Sequence, residues 1–366
     1  MIVAGSGDAA DLRYASGFSP VDPVVFLDHP RRALLVVPML EVGRARVEAA
    51  RSRVATPVEL EIAPDQRRSV AAWAVAAARA CRVRRVRVGP YFPLSVARAL
   101  ERAQVRVELE PGALYPERAR KNADEIARIA QVQAAAVAAV RAAVREIRRA
   151  HVNRAGELVL GKRVLTSEQL KRTVEGVLLE RECQSREMII ACGRHAADPH
   201  HRGTGPLRAG ETIVLDIFPQ HQKSGYWGDI TRTVVKGPAR PELKRMYQAV
   251  LAAQTWARRA VRPRVRADRI HQGVQQRLAD AGFVTETRDG LPVGFFHGTG
   301  HGVGLEIHEA PSLSTVPVRL EPGHVVTVEP GLYYPDLGGI RIEDTVAVTA
   351  RGARVLCPCP YTFEVR

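Results

Sequence analysis

Apolar positions change their spacing along this chain, and the change marks two regions. Before residue 117, short apolar runs (VVFLD at 24–28, ALLVVPML at 33–40) mix with helix-like Ala/Arg segments such as VAAWAVAAARA at 70–80, the pattern of a small α/β domain. RVRRVRVGP at 82–90 alternates Arg with Val, as an edge or half-exposed strand does. PGALYPERARKN at 111–122 carries two prolines and a charge cluster in the manner of a connector, which divides the chain into residues 1–116 and 117–366.

Beyond the connector the period becomes helical. Asn122 and Glu125 have the spacing of a capping box, and Ile126, Ile129, Val137, Val140, Val144 and Ile147 recur at helical intervals, so a long helix follows. TSEQ offers a second cap pattern ahead of a helix from Ser167 to about Glu182. Strand-like runs then take over (MIIAC, TIVLDIF, DITRTVV, HVVTVEP, IRIEDTVAVT), interrupted by helical stretches from Glu242 to about Ala260 and from Asp268 to Ala281. Residues 117–366 therefore read as an α+β domain built on antiparallel strands. No short repeat is visible.

The residues that break the apolar pattern of these strands are acids. Asp216 sits among Ile, Val, Leu, Ile and Phe in TIVLDIF, where a free carboxylate is costly. Taken alone, it could equally pair with an arginine or cap backbone amides. Strand alternation in GDITRTVV sets Asp229, Thr231 and Thr233 on one face and Ile230, Arg232 and Val234 on the other. The same period through GIRIEDTVAV sets Arg341, Glu343 and Thr345 opposite Ile340, Ile342 and Val346, and Glu329 closes the run Val325 to Val328 ahead of a Pro-Gly turn. Four acids brought together at strand positions would repel one another and raise several pKa values unless cations sat among them. Two divalent ions balance four negative charges. FFHGTGHGVGLEIHEAP at 295–311 adds His297, His301 and His308, three of the eleven histidines in the chain, with Gly298, Gly300, Gly302 and Gly304 allowing close backbone approach. Carboxylates joined by an imidazole suit Mn, Fe, Co or Zn.

Charge raises a different possibility. A formal +15 is the footprint of a nucleic-acid binder. The basic residues, however, run along the whole length, only six of the 54 are Lys, and aromatics make up 5% of the chain, which leaves few stacking platforms. No nucleic-acid partner is expected. A basic leader, an apolar signal core and any run of about 18 uninterrupted apolar residues are missing, so no membrane association is expected and the cytoplasm is the default location. Five scattered cysteines, with CPCP lacking the two-residue gap of a zinc or redox motif, read as reduced structural thiols. The GSG near the N-terminus follows no convincing strand and is weak as a nucleotide loop.

Taken in order, DLRYASGF at 11–18, Asp216, Asp229, GHGVG, HEAP, EPGLYY and GIRIED resemble the M24 metallopeptidases of the creatinase-like superfamily, which include Xaa-Pro aminopeptidases, prolidases and methionine aminopeptidases. The resemblance covers nearly all of the chain. It implies a pita-bread catalytic domain, an antiparallel sheet with helices, preceded by a smaller creatinase-type α/β N-terminal domain. By similarity, Asp216 chelates one metal, Asp229 and Glu343 bridge two, and His301 and Glu329 complete the shell of the second. The intervals from His301 to His308 and from Glu329 to Glu343 match the family pattern. His308 resembles a catalytic histidine that steadies the carbonyl oxygen and the tetrahedral intermediate, and His297 one that lines the substrate pocket. In PHHRGTG, His200 aligns with a third histidine better than His201 does. Arg341 resembles an arginine of the proline-cleaving branch, the plain alternative being a salt bridge that holds Glu343. Glu329 is also expected to shuttle a proton to the leaving nitrogen. One departure stands out: the two aspartates are thirteen apart where the family usually has eleven, so HQKSGYW belongs to a lengthened hairpin. An even insertion at a turn keeps the face of each strand.

The N-terminal domain favours a proline-directed enzyme over a methionine aminopeptidase, and the full ligand set disfavours creatinase, which works without it. The expected activity is that of an Xaa-Pro aminopeptidase, hydrolysing the N-terminal Xaa-Pro bond with a hydroxide held by two divalent metal ions, manganese first and cobalt, zinc or iron as alternatives. Peptides with proline at the second position are the expected substrates, and a homodimer is implied. Xaa-Pro dipeptidase (prolidase) is the near alternative. A catalytically inactive pita-bread module that binds nucleic acid is the distant one, and the intact ligands count against it.

Overall fold

In the computed structural model, which describes residues 1–4 and 10–366, the chain divides into two units, Met1–Arg118 and Ala119–Arg366. The GSG segment lies outside the described residues. The first unit is built on a four-stranded sheet in the order Ile2–Ala4, Val24–Leu27, Leu34–Val36 and Arg53–Ala55. Successive strand residues point to opposite faces, and both faces are covered. Val25, Leu27, Leu34 and Val36 pack with Trp73 and Ala77 of the Val70–Ala80 helix, while Val24, Phe26 and Leu35 pack with Leu12, Phe18 and Ala45. Arg85–Val88 and Arg106–Leu109 form a separate parallel pair in which Val86 and Val88 are buried and Arg85 and Arg87 exposed, as the Arg/Val alternation requires.

The second unit begins with the Ala123–Arg149 helix, whose capping box is complete: Asn122 Oδ1 accepts from Glu125 N at 3.0 Å and Glu125 Oε2 accepts from Asn122 N at 3.0 Å. By length and composition this helix is apolar enough to cross a membrane, but 56% of its most apolar window is buried within the fold, as in a core helix. The next helix, Ser167–Leu179, starts at an equivalent box of Thr166 and Gln169. It stops short of Glu182, whose backbone turns to a φ of 54°. Helices Pro241–Ala260 and Ala267–Asp280 pack their apolar faces with Val326, Val328 and Val346 of a five-stranded sheet. That sheet runs Glu309–Leu313, Gly300–Gly302, Val325–Val328, Asp344–Val348 and Ala353–Val355. A four-stranded sheet, Ile189–Cys192, Thr212–Ile217, Ile230–Lys236 and Glu364–Val365, forms the other half of the frame.

IRIEDTVAVT is not one strand. Gly338–Arg341 pairs with Gly331–Tyr334, whereas Asp344–Val348 pairs with Val325–Val328. At Ile342 and Glu343 the chain passes from one partner to the other, with Ile342 N bonded to Pro330 O and Glu343 N to Thr231 O. The acids are likewise less uniformly placed than expected. Asp216 lies within a strand, Asp229 just before one, Glu329 just after one, and Glu343 in this break.

Candidate metal centre

Asp216 and Thr231 are register partners in the four-stranded sheet, next to Ile217 and Ile230. The lengthened hairpin beyond them keeps this register. Its Gln220–His221 segment pairs with Cys183–Gln184, Tyr226 OH donates to Glu125 Oε1 at 2.9 Å, and Trp227 Nε1 donates to Leu305 O at 3.2 Å. Asp229 is held through its backbone: its N donates to Gln133 Oε1 at 2.8 Å, and its O accepts from Gln133 Nε2 and from Thr345 Oγ1, both at 2.7 Å. Gly228 makes this approach possible, since a Cβ there would lie 2.8 Å from Gln133 N. Gly300 serves the same purpose in the five-stranded sheet, where a Cβ would meet Thr327 O at 2.0 Å. The histidine-bearing strand can therefore lie close against Val325–Val328.

Arg341, Glu343 and Thr345 keep a common face across the strand break. His301 Nδ1 donates to Gly302 O at 3.1 Å, which turns Nε2 toward Glu329 Oε1 at 3.2 Å and Asp229 Oδ2 at 3.5 Å. Thr327 Oγ1 donates to Glu329 Oε1 at 3.1 Å, and Thr231 Oγ1 donates to Glu343 Oε2 at 2.8 Å. The salt bridge weighed as the plain alternative for Arg341 forms with Asp216 and not with Glu343: Arg341 Nη2 lies 2.6 Å from Asp216 Oδ2. Arg341 belongs to the strand that ends before the break and is tied by its backbone to Thr233 Oγ1, which carries its side chain over Asp216.

Two carboxylate oxygens, Asp229 Oδ1 and Glu343 Oε1, are buried with no hydrogen-bond partner among the described residues. Such orphans are rare and ask for an explanation. Burial first, and then the charges of the neighbouring acids, hold both carboxyls well above the usual carboxylate range. Against burial, which would lower it, the hydrogen bond and charge of Glu329 raise His301 to about 9. Burial would raise Glu329, but the hydrogen bond and charge of His301 pull it down to about 2. His301 is thus held as a cation among the acids, alongside Arg341. One ligand atom each from Asp229, His301 and Glu343 falls within 4.8 Å of the others, so these three could hold a metal ion. Asp216 and Glu329 border the same cavity of about 870 Å³.

The histidines divide by what they are bonded to. His297 is fully engaged: Nδ1 donates to Gly298 O at 2.7 Å and Nε2 accepts from Tyr333 OH at 3.0 Å, while Tyr333 OH itself accepts from Arg341 Nη1 at 2.7 Å. Burial lowers His297 to about 4 and keeps it neutral. His308 stands edge-on to His301 with ring centroids 4.2 Å apart and has no hydrogen bond among the described residues. His200 lines the cavity, whereas His201 stacks on His195 at 4.0 Å and accepts from Gly203 N. Tyr333, Thr327 and Gln133 were not singled out by the sequence reading, and Thr231 was named only as sharing the face of Asp229. Gln133 left a signal as a polar residue within the largely apolar buried face of its helix.

The sequence profile of Metallopeptidase family M24 matches residues 125–350. An uncharacterized peptidase of Bacillus subtilis, YqhT, is 38% identical over 186 residues, 49% of this chain and 48% of the relative. The Xaa-Pro dipeptidase of Pyrococcus furiosus is 37% identical over 172 residues, 46% of this chain and 47% of its own. The chain spans about half the length of the curated relatives it matches. Among solved structures, the prolidase from Pyrococcus horikoshii superposes with a TM-score of 0.81 at 26% identity, over 98% of this chain and 94% of that one. The X-Pro aminopeptidase from Thermotoga maritima superposes with a TM-score of 0.81 at 23% identity, over 99% and 97%, a likeness of fold alone. The architecture is the pita-bread fold.

Proposed function

Because the chain belongs to metallopeptidase family M24, whose peptidases are dinuclear metal enzymes, we propose that it is an exopeptidase that releases an N-terminal residue from proline. Its ligands for two divalent ions, manganese foremost, would be Asp216, Asp229, His301, Glu329 and Glu343. What carries this reading is the pair of orphaned oxygens on Asp229 and Glu343 beside His301 Nε2, a donor set of carboxylate and imidazole suited to such ions.

When bound, the ions supply a Lewis acid for the scissile carbonyl and an acidified water as nucleophile. The side chains do the rest. Glu329 Oε1 accepts from Thr327 and lies beside His301 Nε2, which leaves Oε2 to take a proton and pass it to the proline nitrogen. His308, with no bond to hold it elsewhere, donates to the carbonyl oxygen as charge develops there. His297 acts through Tyr333 to keep Arg341 in line with Asp216. Phe218, Phe296 and Ile307 give the cavity an apolar wall suited to a pyrrolidine ring.

Aminopeptidase action is the first reading. The relatives named Xaa-Pro dipeptidase and prolidase favour a second, in which the substrate is the free dipeptide. Metal-loaded protein incubated with Xaa-Pro dipeptides and Xaa-Pro-Xaa tripeptides separates the two by the rate of N-terminal residue release. Release from tripeptides supports the aminopeptidase, and release from dipeptides alone supports the dipeptidase. No release from either, with metal bound, sinks both.

A further inference from the structure

Strand alternation gives the acid-bearing segments a reverse face, and a single arginine occupies its centre. Thr231 and Thr233 point toward the acids, while Arg232, 2% exposed, points away. Its guanidinium makes five hydrogen bonds. Nε donates to Pro360 O at 3.1 Å, and Nη1 to Thr231 O at 2.9 Å and Glu343 O at 2.5 Å. Nη2 donates to Asp344 Oδ1 and Cys359 O, both at 2.8 Å. The other oxygen of Asp344 accepts from Gln254 at 2.9 Å, from Arg258 at 3.4 Å and from Tyr361 OH.

Asp344 alone would neutralise Arg232. The four bonds to carbonyls do something else, which is to fix geometry. Glu343 lies in the gap between two strands, where neither ladder holds its carbonyl. Its N donates to Thr231 O, the same oxygen that accepts from Arg232 Nη1, and its own O accepts from that nitrogen as well. Glu343 is therefore closed into a ring with Thr231 and Arg232, and Thr231 Oγ1 secures its carboxylate on the other side.

We propose that Arg232 is a positioning residue for the metal centre, pinning the Glu343 backbone to the 359–361 segment and so setting where the Glu343 carboxylate is presented. This rests on Glu343 being a ligand, as proposed above. Residues near the C-terminus thereby become part of the frame of the site.

Arg232→Lys keeps a cation beside Asp344 but lacks the planar fork that reaches four backbone carbonyls besides. It should still fold, at a lower melting temperature, because buried carbonyls lose their donor. Its Co²⁺ affinity should fall roughly 10- to 100-fold, as when the groups that orient a ligand are lost. The visible absorption of the Co²⁺-loaded protein should shift, and kcat should fall with KM unchanged. A folded R232K with wild-type Co²⁺ affinity and spectrum overturns the proposal alone. Wild-type protein that takes up no Co²⁺ overturns the ligand assignment and this proposal with it. Should R232K be unfolded, Tyr361→Phe decides, since it removes the hydroxyl that ties the 359–361 segment to Asp344 and so loosens the anchor to which Arg232 pins Glu343. A shifted Co²⁺ spectrum in Y361F then supports the proposal, and an unchanged one overturns it.

Discussion

Glu343 and Asp344 are adjacent in the chain and equally buried, each 1% exposed, yet they face opposite sides of the same segment. On the reverse side, Asp344 collects donors from Arg232, Gln254, Arg258 and Tyr361. On the cavity side, the Glu343 carboxylate finds among the described residues one donor, Thr231, and leaves its other oxygen with none, and it shares its surroundings with Asp216, Asp229 and Glu329. Burial is the same, so burial does not distinguish them. The supply of donors does. A buried acid fully served by its own fold is a structural joint, whereas one packed among other acids is destabilising until something positive from outside joins it.

The largest test of that contrast exchanges one charge on each face. Asp229→Asn should abolish metal uptake and peptidase activity together while the protein stays folded. Asp344→Asn should act mainly on stability, costing about 3–5 kcal/mol, the usual loss when one partner of a buried pair is removed. Metal content, turnover and denaturant unfolding of the two variants check this. Full turnover by D229N would break the comparison at its root.

Among the histidines the same logic predicts a split. Among the described residues nothing bonds the His308 side chain, so His308→Ala should lower kcat by roughly 10²–10³, the loss typical of a donor aimed at a developing oxyanion, with its melting temperature little changed. His297→Ala strands Tyr333 OH and Gly298 O. It should destabilise the fold by about 1–3 kcal/mol for those unmet groups. Thr231→Val ranks next: without that hydroxyl the Glu343 carboxylate loses the side-chain donor that secures it, and metal affinity should drop about 10- to 100-fold by titration.

Local signals in the sequence were reliable where a short motif determines its own geometry. Asn122 with Glu125, and Thr166 with Gln169, start helices at the positions their spacing indicates, because a capping box is closed within four residues. Period-2 alternation correctly set Asp229, Thr231 and Thr233 apart from Arg232. It carried the faces of Arg341, Glu343 and Thr345 even across a break it did not foresee. That break depends on which strand each half pairs with, and pairing partners distant in sequence leave no local trace. The same holds for Arg341, which pairs with Asp216 across 125 residues, and for Gln133, which clamps Asp229 across 96. Arg232 could be set on the face of Ile230 and Val234 but given no role, because Asp344 and the carbonyls of Cys359 and Pro360 that complete it lie more than a hundred residues on.

The smallest effect is the most direct measure of the charge crowding. In the metal-free protein, burial and then the charges of Glu329 and Asp216 hold the Glu343 carboxyl well above its ordinary value near 4.5. A carboxyl raised in the folded state carries no penalty below its unfolded pKa. As pH rises through the interval up to the folded pKa, the unfolded chain ionises first and the native state loses stability; above the folded pKa the penalty is complete. Glu343→Gln removes it. In EDTA the variant should therefore exceed the wild type at pH 8 by roughly 1–2 kcal/mol, the order expected for an unserved buried polar group. The gap should close as the pH falls toward the ordinary carboxylate range, with Asp229 sharing the proton uptake. Adding Mn²⁺ should reverse the order, because only the wild type gains the full free energy of binding. Calorimetry across that pH range, with and without metal, reads all three. If chelated E343Q is no more stable than chelated wild type at pH 8, the acids do not strain the metal-free fold, and the contrast between Glu343 and Asp344 is one of geometry and not of charge.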